Sequence, residues 1–318
     1  MTQGCCAGPA APSFQDRQVG YLETALAMQP AAAGIREALA SELVAIPGGF
    51  FDMGARKSRF PEDGDMPRRR TRVAPFRISP IACTNAQFAR FVEDTGYRTV
   101  AEAEGWSFVF HLLLRSSADW PESPGNLPWW RRVDGACWSA PEGPGSDISG
   151  REDHPVVHVA WYDSVAYCRW AGQRLAREAE WERAARGGLE RKKFPWGNRM
   201  TADGAHRMNT WQGVFPTENT AEDGHVGTAP ARAYDPNGYG IYNACGNVWE
   251  WVEDRFAPGR TGAASAEAAA DASSPRVQRG GSYLCHVSYC DRYFVHSRSG
   301  TDPDSSSGNC GFRVAMEA

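Results

Sequence analysis

No apolar run in this 318-residue chain approaches the roughly 18 residues that a membrane-crossing helix needs. The amino-terminal stretch MTQGCCAGPAAPSFQDR lacks both a basic region and an apolar core, so it does not read as a secretory signal. Positive charge is not in excess: the formal net charge is -4, which removes any general electrostatic case for nucleic acid. A short basic run, Arg68, Arg69, Arg70 and Arg72, follows acidic Glu62, Asp63 and Asp65 and reads as a self-neutralising face. Heptads and internal repeats are missing. The seven histidines form no H-x-H or H-E-x-x-H pair. The lack of a G-x-S-x-G elbow, a Walker loop or a dinucleotide fingerprint argues against hydrolase and nucleotide chemistry.

What is abundant is punctuation. Thirty-three Gly, 21 Pro and 12 Trp predict a turn-rich fold with aromatic side chains anchoring irregular segments, and no long helix. Residues 1–42 read as an Ala-rich leader, flexible or partly helical, with helices expected over 14–28 and 34–43. A single domain, 43–318, opens with VAIPGGFFDMG as strand, turn and strand, and a third strand is expected over 72–78. Thr84 and Gln87 make a capping box for a helix that Gly96 ends. Val156 to Trp161 reads as a buried strand, Asp163 as the cap of the next helix, and Glu178 to Arg186 as a further helix. Residues 112–154 look irregular, and so long a segment inside a domain suggests a functional part.

Nine cysteines is an odd count, which argues against full pairing and points to a reducing, cytoplasmic setting. Cys5 and Cys6 lie in a Gly/Ala/Pro tail and read as incidental. The chemistry concentrates in RGGSYLCHVSYCDRY, Arg279 to Tyr293, where Cys285 and Cys290 form a C-x4-C pair. Residues five apart sit about 140° apart on a helix and on opposite faces of a strand, so the thiols meet only if the chain bends. Two thiolates without a third soft ligand suit Cu(I), a redox-active disulfide or a structural disulfide. Two loops carry oxygen donors in patterns that suit Ca2+: Asn209-Thr210 with Asp223-Gly224-His225, and Asn243 through Gly246 to Glu250.

WAGQRLAREAEWERAARGG, NTWQG, NTAEDG, PNGYGIYNACGNVWEW, RGGSYLCHVSYCDRY and DSSSGNCGFR occur in that order, and with them residues 43–316 resemble the formylglycine-generating enzymes, or sulfatase-modifying factors. GNVWEW and GFR mark the wider superfamily, whereas the C-x4-C pair marks the oxidase. The resemblance implies an irregular α+β, C-type-lectin-like fold with low regular secondary structure. It implies oxidation of a cysteine within a C-x-P-x-R motif of an unfolded or nascent sulfatase to Cα-formylglycine, with O2 and a thiol reductant. Cys285 and Cys290 fall on the family's Cu(I) pair, which the substrate thiolate joins as third ligand. Ser282 and Tyr289 match residues of the oxygen pocket, Trp249 an aromatic beside it and His286 a neighbour of the copper ligand. Arg298, Ser306 and Asn309 match the substrate groove. Structural Ca2+ would bind at Asn209, Thr210, Asp223 and His225, and again at Asn243, Gly246, Val248 and Glu250, with Thr210, His225, Gly246 and Val248 acting through the backbone.

Departures from the family pattern are also visible. Ala176-Arg177 replace a usual Pro-Thr, removing an N-cap, and of four cysteines that form disulfides in secreted animal members only Cys168 is kept, which leaves a shifted pairing with Cys310 to consider. Thr301 and Asp302 replace a more usual Asn-Thr after Arg298. A monomer without membrane or nucleic-acid partners is expected. The competing readings are a non-catalytic sulfatase-binding paralogue, which would typically lack the cysteine pair, and an iron-dependent sulfoxide synthase, which needs clustered histidines.

Overall fold

The structure is a computed structural model that describes residues 13–201, 204–257 and 272–318, so Cys5 and Cys6 lie outside the described residues. Its first helix, α1 (Phe14–Leu26), starts at Ser13, whose hydroxyl accepts from the Asp16 N–H while the Asp16 carboxylate accepts from the Ser13 N–H. A second helix, α2 (Ala33–Ser41), follows. Both helices belong to the packed body: Leu22, Ala25, Ala31 and Leu39 are buried, and the Ala31 N–H donates to the Trp170 carbonyl at 2.8 Å. Helix α3 (Asn85–Thr95) begins and ends as its capping box and Gly96 predict, with Gly96 left-handed at φ 64°. Helix α4 is short (Val100–Glu104). Helices α5 (Trp161–Ala171) and α6 (Glu178–Ala185) carry the core, and α5 is buried on nearly every side.

Three local expectations are corrected. Residues 156–160 are extended and buried but form no strand, because His158 takes φ 60° and turns the backbone out of any ladder. Asp163 caps α5 from inside its first turn: Ala160 is the N-cap residue, and the Asp163 carboxylate accepts from the Ala160 N–H, the Val100 N–H and the Tyr97 hydroxyl at 2.7, 3.0 and 3.0 Å. The strand expected over 72–78 is two, Arg69–Val73 and Phe76–Ile78, divided at Pro75, which has no N–H for a ladder. The irregular stretch 112–154 also contains a strand, Trp130–Asp134, paired with Trp106–Phe110.

Two four-stranded sheets organise the rest. One is antiparallel, in the order Val44–Ile46, Phe76–Ile78, Val314–Glu317, Arg174–Leu175. The other runs Arg298–Thr301, Arg276–Arg279, Trp249–Arg255, Cys310–Phe312, and its last pair is parallel. The chain passes from the second sheet to the first through Arg313. That buried guanidinium donates to Glu250 Oε1 and Oε2 at 2.5 and 2.6 Å and to the Pro80 and Tyr242 carbonyls at 3.1 Å each. A buried charge held this way is satisfied only when both sheets are in register.

Helix α6 lacks a capping side chain at Arg177, as the Ala176-Arg177 departure predicts, but its first N–H groups are served otherwise. Glu180 accepts from the Arg177 N–H at 2.8 Å, and Asp254 of the second sheet accepts from the Glu178 N–H at 2.6 Å. Burial, with the charge of Glu178 next to it, pushes the Asp254 carboxyl up to about 7, and burial pushes Asp163 up to about 7 as well. Between the unfolded value near 4 and these folded values, the native state holds protons that the unfolded chain releases. Stability contributed by these groups is therefore present at low pH and falls as pH rises through that window. Asp254→Asn should make the decline between pH 5 and pH 7 shallower by up to about 1.4 kcal/mol per pH unit, read from urea midpoints.

Candidate active site

Gly281, at φ 73°, turns the chain out of the second sheet: a side chain there would press on the backbone of Arg292 and Tyr293, 3.0 Å away. The excursion that follows bends back on itself, with the N–H groups of Tyr289 and Cys290 donating to the His286 carbonyl at 3.0 and 2.9 Å. That turn brings the two thiols together, Cys285 Sγ to Cys290 Sγ at 3.6 Å, both as free cysteines. Cys285 is fully buried and accepts from the Ser282 N–H at 3.3 Å; Cys290 is half-buried and faces the Arg292 guanidinium at 3.7 Å. Burial pushes the Cys285 thiol well up, whereas the hydrogen bond from Cys285, aided by Arg292, brings Cys290 down to about 7. Of the two sulfurs, Cys290 is therefore the more readily ionised.

Both sulfurs lie on a cleft of about 400 Å3. One wall is apolar, with Phe108, Pro124, Leu127 and Trp130, and the other is polar, with Gln278, Ser305, Ser307 and Asn309. Ser282, Tyr289 and Trp249 also line it. Ser282 Oγ accepts from the Leu284 N–H at 3.3 Å and from Asn309 Nδ2 at 3.0 Å. With both lone pairs engaged, its proton is left to donate. Tyr289 stacks on Phe215 at 4.4 Å between centroids and meets Trp129 edge-on at 4.9 Å. Burial pushes its phenol up to about 12, so it also presents a proton. A hollow of about 450 Å3 beside Trp196 and Tyr242 has no thiol near it and is separate.

Three expected residues are not on the cleft. His286 bonds Ser288 Oγ through Nδ1 at 2.8 Å and contributes to the turn mainly through its carbonyl. Ser306 points inward to Ser107 Oγ at 2.8 Å, and its neighbours Ser305 and Ser307 line the cleft in its place. Arg298 is fully buried: Nε and an NH2 group grip Glu178 at 2.7 and 3.1 Å, and NH1 donates to the Asp63 carbonyl at 2.9 Å. A planar guanidinium so engaged has no fork left for a peptide. Sequence reading missed Arg292, Gln278 and Phe215. Arg292 is held by the Asp63 carboxylate, lies 3.7 Å over the Phe60 ring and borders the cleft. The basic residue two places after Cys290 was the available signal.

The residues can be tested against the implied metals. Two soft sulfur donors within van der Waals contact, one already favouring the thiolate, fit Cu(I). Among the described residues no group of three His, Cys, Asp or Glu side chains gathers to hold a metal, so any Ca2+ would need amide and backbone carbonyl oxygens beside a lone carboxylate. The first calcium set fits in part: Asn209 Oδ1 is buried without a partner among the described residues, whereas Asp223 Oδ2 already accepts from the Thr210 N–H and Gln212 Nε2 at 3.0 and 2.9 Å and leaves Oδ1, which accepts only from the His225 N–H at 3.0 Å, with a lone pair for a cation. The second set fits only in part. Asn243 Oδ1 is likewise buried and without a partner, and Gly246 packs so closely on the Asn209 carbonyl that no Cβ would fit. The Glu250 carboxylate, however, is taken by Arg313 and by Trp181 Nε1 at 2.6 Å, and so is not free for a cation. Cys168 and Cys310 are both free, and Cys310 Sγ accepts from Gln278 Nε2 at 3.0 Å, which sets aside their pairing.

Fold and site together define a mixed α+β protein of low regular secondary structure with a dithiol at the base of a peptide-sized cleft. The model of the sulfatase-modifying factor enzyme 1-like domain family matches residues 30–318, and the chain belongs to that family. It is 52% identical to the formylglycine-generating enzyme of Thermomonospora curvata over 290 residues, 88% of this chain and 94% of that one. It is 44% identical to the inactive C-alpha-formylglycine-generating enzyme 2 of Bos taurus, over 87% of this chain and 88% of that one. PvdO from Pseudomonas aeruginosa shares the fold, with TM-score 0.60, 23% identity and coverage of 87% and 94%. The buried role of Arg298 gives a test: Arg298→Met should cost about 3–5 kcal/mol of folding free energy by chemical denaturation, because Glu178 loses one of its partners.

Proposed function

We propose that this chain oxidises the cysteine of a C-x-P-x-R motif in a sulfatase polypeptide to Cα-formylglycine, using O2 and Cu(I) held by Cys285 and Cys290. The observation that carries this reading is the pair of free thiols 3.6 Å apart at the base of the cleft. The named relative at 52% identity supports the activity. The non-catalytic alternative leaves that pair without a use.

The balance is that R-CH2-SH, O2 and two electrons with two protons give R-CHO, hydrogen sulfide and water. A thiol reductant supplies the electrons and protons. Cu(I), when bound, supplies the one-electron chemistry with O2 that thiols alone perform poorly. The chain's own residues do the rest. Cys285 and Cys290 offer two thiolates, one buried and one at the cleft. Ser282 and Tyr289 donate hydrogen bonds where negative charge develops on oxygen, and Asn309 keeps the Ser282 proton directed outward. Trp249 and the aromatic cluster around Phe215 exclude water from that side. Ser305 offers a hydroxyl to an extended backbone, and Ser307, whose proton goes to Asn309 Oδ1 at 2.8 Å, offers an acceptor. A folded partner has already spent its backbone groups internally, so the substrate is an unfolded or nascent chain. The free thiols at Cys83, Cys137, Cys168, Cys245 and Cys310 suit a reducing compartment such as the cytoplasm.

Mass spectrometry of a C-x-P-x-R peptide after aerobic incubation with copper and a thiol should reveal replacement of sulfur by an aldehyde oxygen. Cys285→Ser and Cys290→Ser should each abolish conversion and Cu(I) binding; full activity in either would overturn the reading. Ca2+ is proposed at Asn209, Thr210, Asp223 and His225 as a structural staple. Chelation should lower Tm by about 5 °C, and Asp223→Ala should remove that dependence.

A further inference from the structure

Most of the polar wall of the cleft is one loop, Asp304 to Asn309, whose residues alternate in direction. Ser305, Ser307 and Asn309 face the cleft, while Ser306 and Gly308 face the protein. Behind the loop, three buried side chains form one chain of hydrogen bonds: Ser306 Oγ to Ser107 Oγ at 2.8 Å, and Ser107 Oγ to His158 Nδ1 at 2.8 Å. The His158 backbone takes part as well, its N–H donating to the Ser307 carbonyl at 2.9 Å. This is the residue held at φ 60°, a conformation that a bulky side chain adopts only when its surroundings enforce it. Gly308 lies so close that an added Cβ would come within 3.2 Å of His158 Nε2. The same imidazole borders a chamber of about 190 Å3 on the side of the loop away from the cleft, where the Pro141 backbone lies beside it. Burial pushes the imidazole down to about 3, so it stays neutral with one N–H.

We propose that His158 is a positioning residue which, through Ser107 and Ser306, sets the loop that presents Ser305, Ser307 and Asn309 to the substrate peptide. The inference rests on the peptide-oxidising reading of the cleft. Ser107 has a single proton, so it accepts from one neighbour and donates to the other, and the three side chains share one direction of donation. Removing the middle member breaks both bonds and leaves two buried polar groups unmatched, a penalty the structure relieves most easily by moving the loop. Asn309 is tied separately to Ser282 at 3.0 Å, which holds the thiol end of the loop in place, so loss of the Ser107 bonds displaces the peptide-facing Ser305 and Ser307 and leaves the reacting groups where they are.

The test uses the full chain and two readouts. Affinity is measured by fluorescence anisotropy with a labelled C-x-P-x-R peptide whose cysteine is replaced by serine, and kinetics with the cysteine peptide. Ser107→Ala and His158→Leu should each raise Kd and KM about tenfold while kcat stays within about twofold. His158→Asn, whose amide can reach Ser107 and whose backbone tolerates the left-handed region, should recover most of the affinity. The Ser107→Ala/Ser306→Ala double variant should bind no worse than Ser107→Ala alone. Unchanged affinity in Ser107→Ala, a loss confined to kcat, or additive losses in the double variant would overturn the proposal. If His158→Leu fails to fold, Ser107→Ala, which removes one oxygen atom, decides the matter. Failure of the wild type to convert the cysteine peptide would instead overturn the proposed reaction, with the serine-peptide affinities still scoring the loop.

Discussion

Two carboxylates on one turn of α6 fix where the active-site excursion leaves the second sheet and where it returns. Arg279, the last residue before Gly280 and Gly281, donates to Glu178 at 2.9 Å and to Glu182 at 2.6 Å. Arg298, the first residue of the returning strand, grips both oxygens of Glu178 and shares Oε1 with Arg279. Everything between them, Ser282 to Ser297, is a loop with scarcely any ladder of its own. Burial would raise the carboxyl of Glu182, but Arg186 and Arg279 together hold it below its ordinary value. Ionic groups this deep are costly to desolvate, and they endure because nearly every oxygen and N–H has a geometrically sound partner. Such an arrangement tolerates little displacement, which is what a site made from loops needs.

From that anchor the same logic extends outward. Arg298 reaches the Asp63 carbonyl, and Arg292 takes the Asp63 carboxylate, so the segment around Pro61–Asp63 is strapped over the cysteine turn. Arg59 adds a bond to Asp291 at 3.0 Å. Arg313 performs the corresponding task between the two sheets. Charged side chains here substitute for the long ladders that a more regular fold would use, and their directional demands explain how strands of two to seven residues suffice.

How far the sequence could be read follows from the range of the interactions involved. Helix α3 was legible because Thr84, Gln87 and Gly96 act within a few residues of the elements they bound. The cysteine pair was legible as chemistry, since C-x4-C with leading glycines demands a bend, though the choice between disulfide and thiols depended on the neighbouring motifs. His158 was not legible: its backbone angle answers to Ser107 and to Ser307, far away in sequence, and an apolar run such as V-V-H-V-A gives no hint of it. Arg298 and Ser306 show a further limit. A motif can place a residue beside the groove without saying which way its side chain points, and here both point inward. The apolar wall was foreseen only as a long irregular segment with an expected role. That Leu127 and Trp130 would face the thiols depends on a strand pairing between Trp106–Phe110 and Trp130–Asp134 that no local signal announced.

The division of labour around the thiols follows from these constraints. Cys285 sits on the protein side, shielded and bonded by the Ser282 N–H, while Cys290 sits on the solvent side against Arg292. A buried thiol beside a half-exposed one holds a single negative charge more easily than two, because the second ionisation would place like charges 3.6 Å apart in a poorly solvated place. Full ionisation therefore requires a compensating cation. The proposed Cu(I), a soft monovalent cation, would supply that compensation without the hydration cost of a divalent one, and this electrostatic argument is independent of the one from sulfur chemistry.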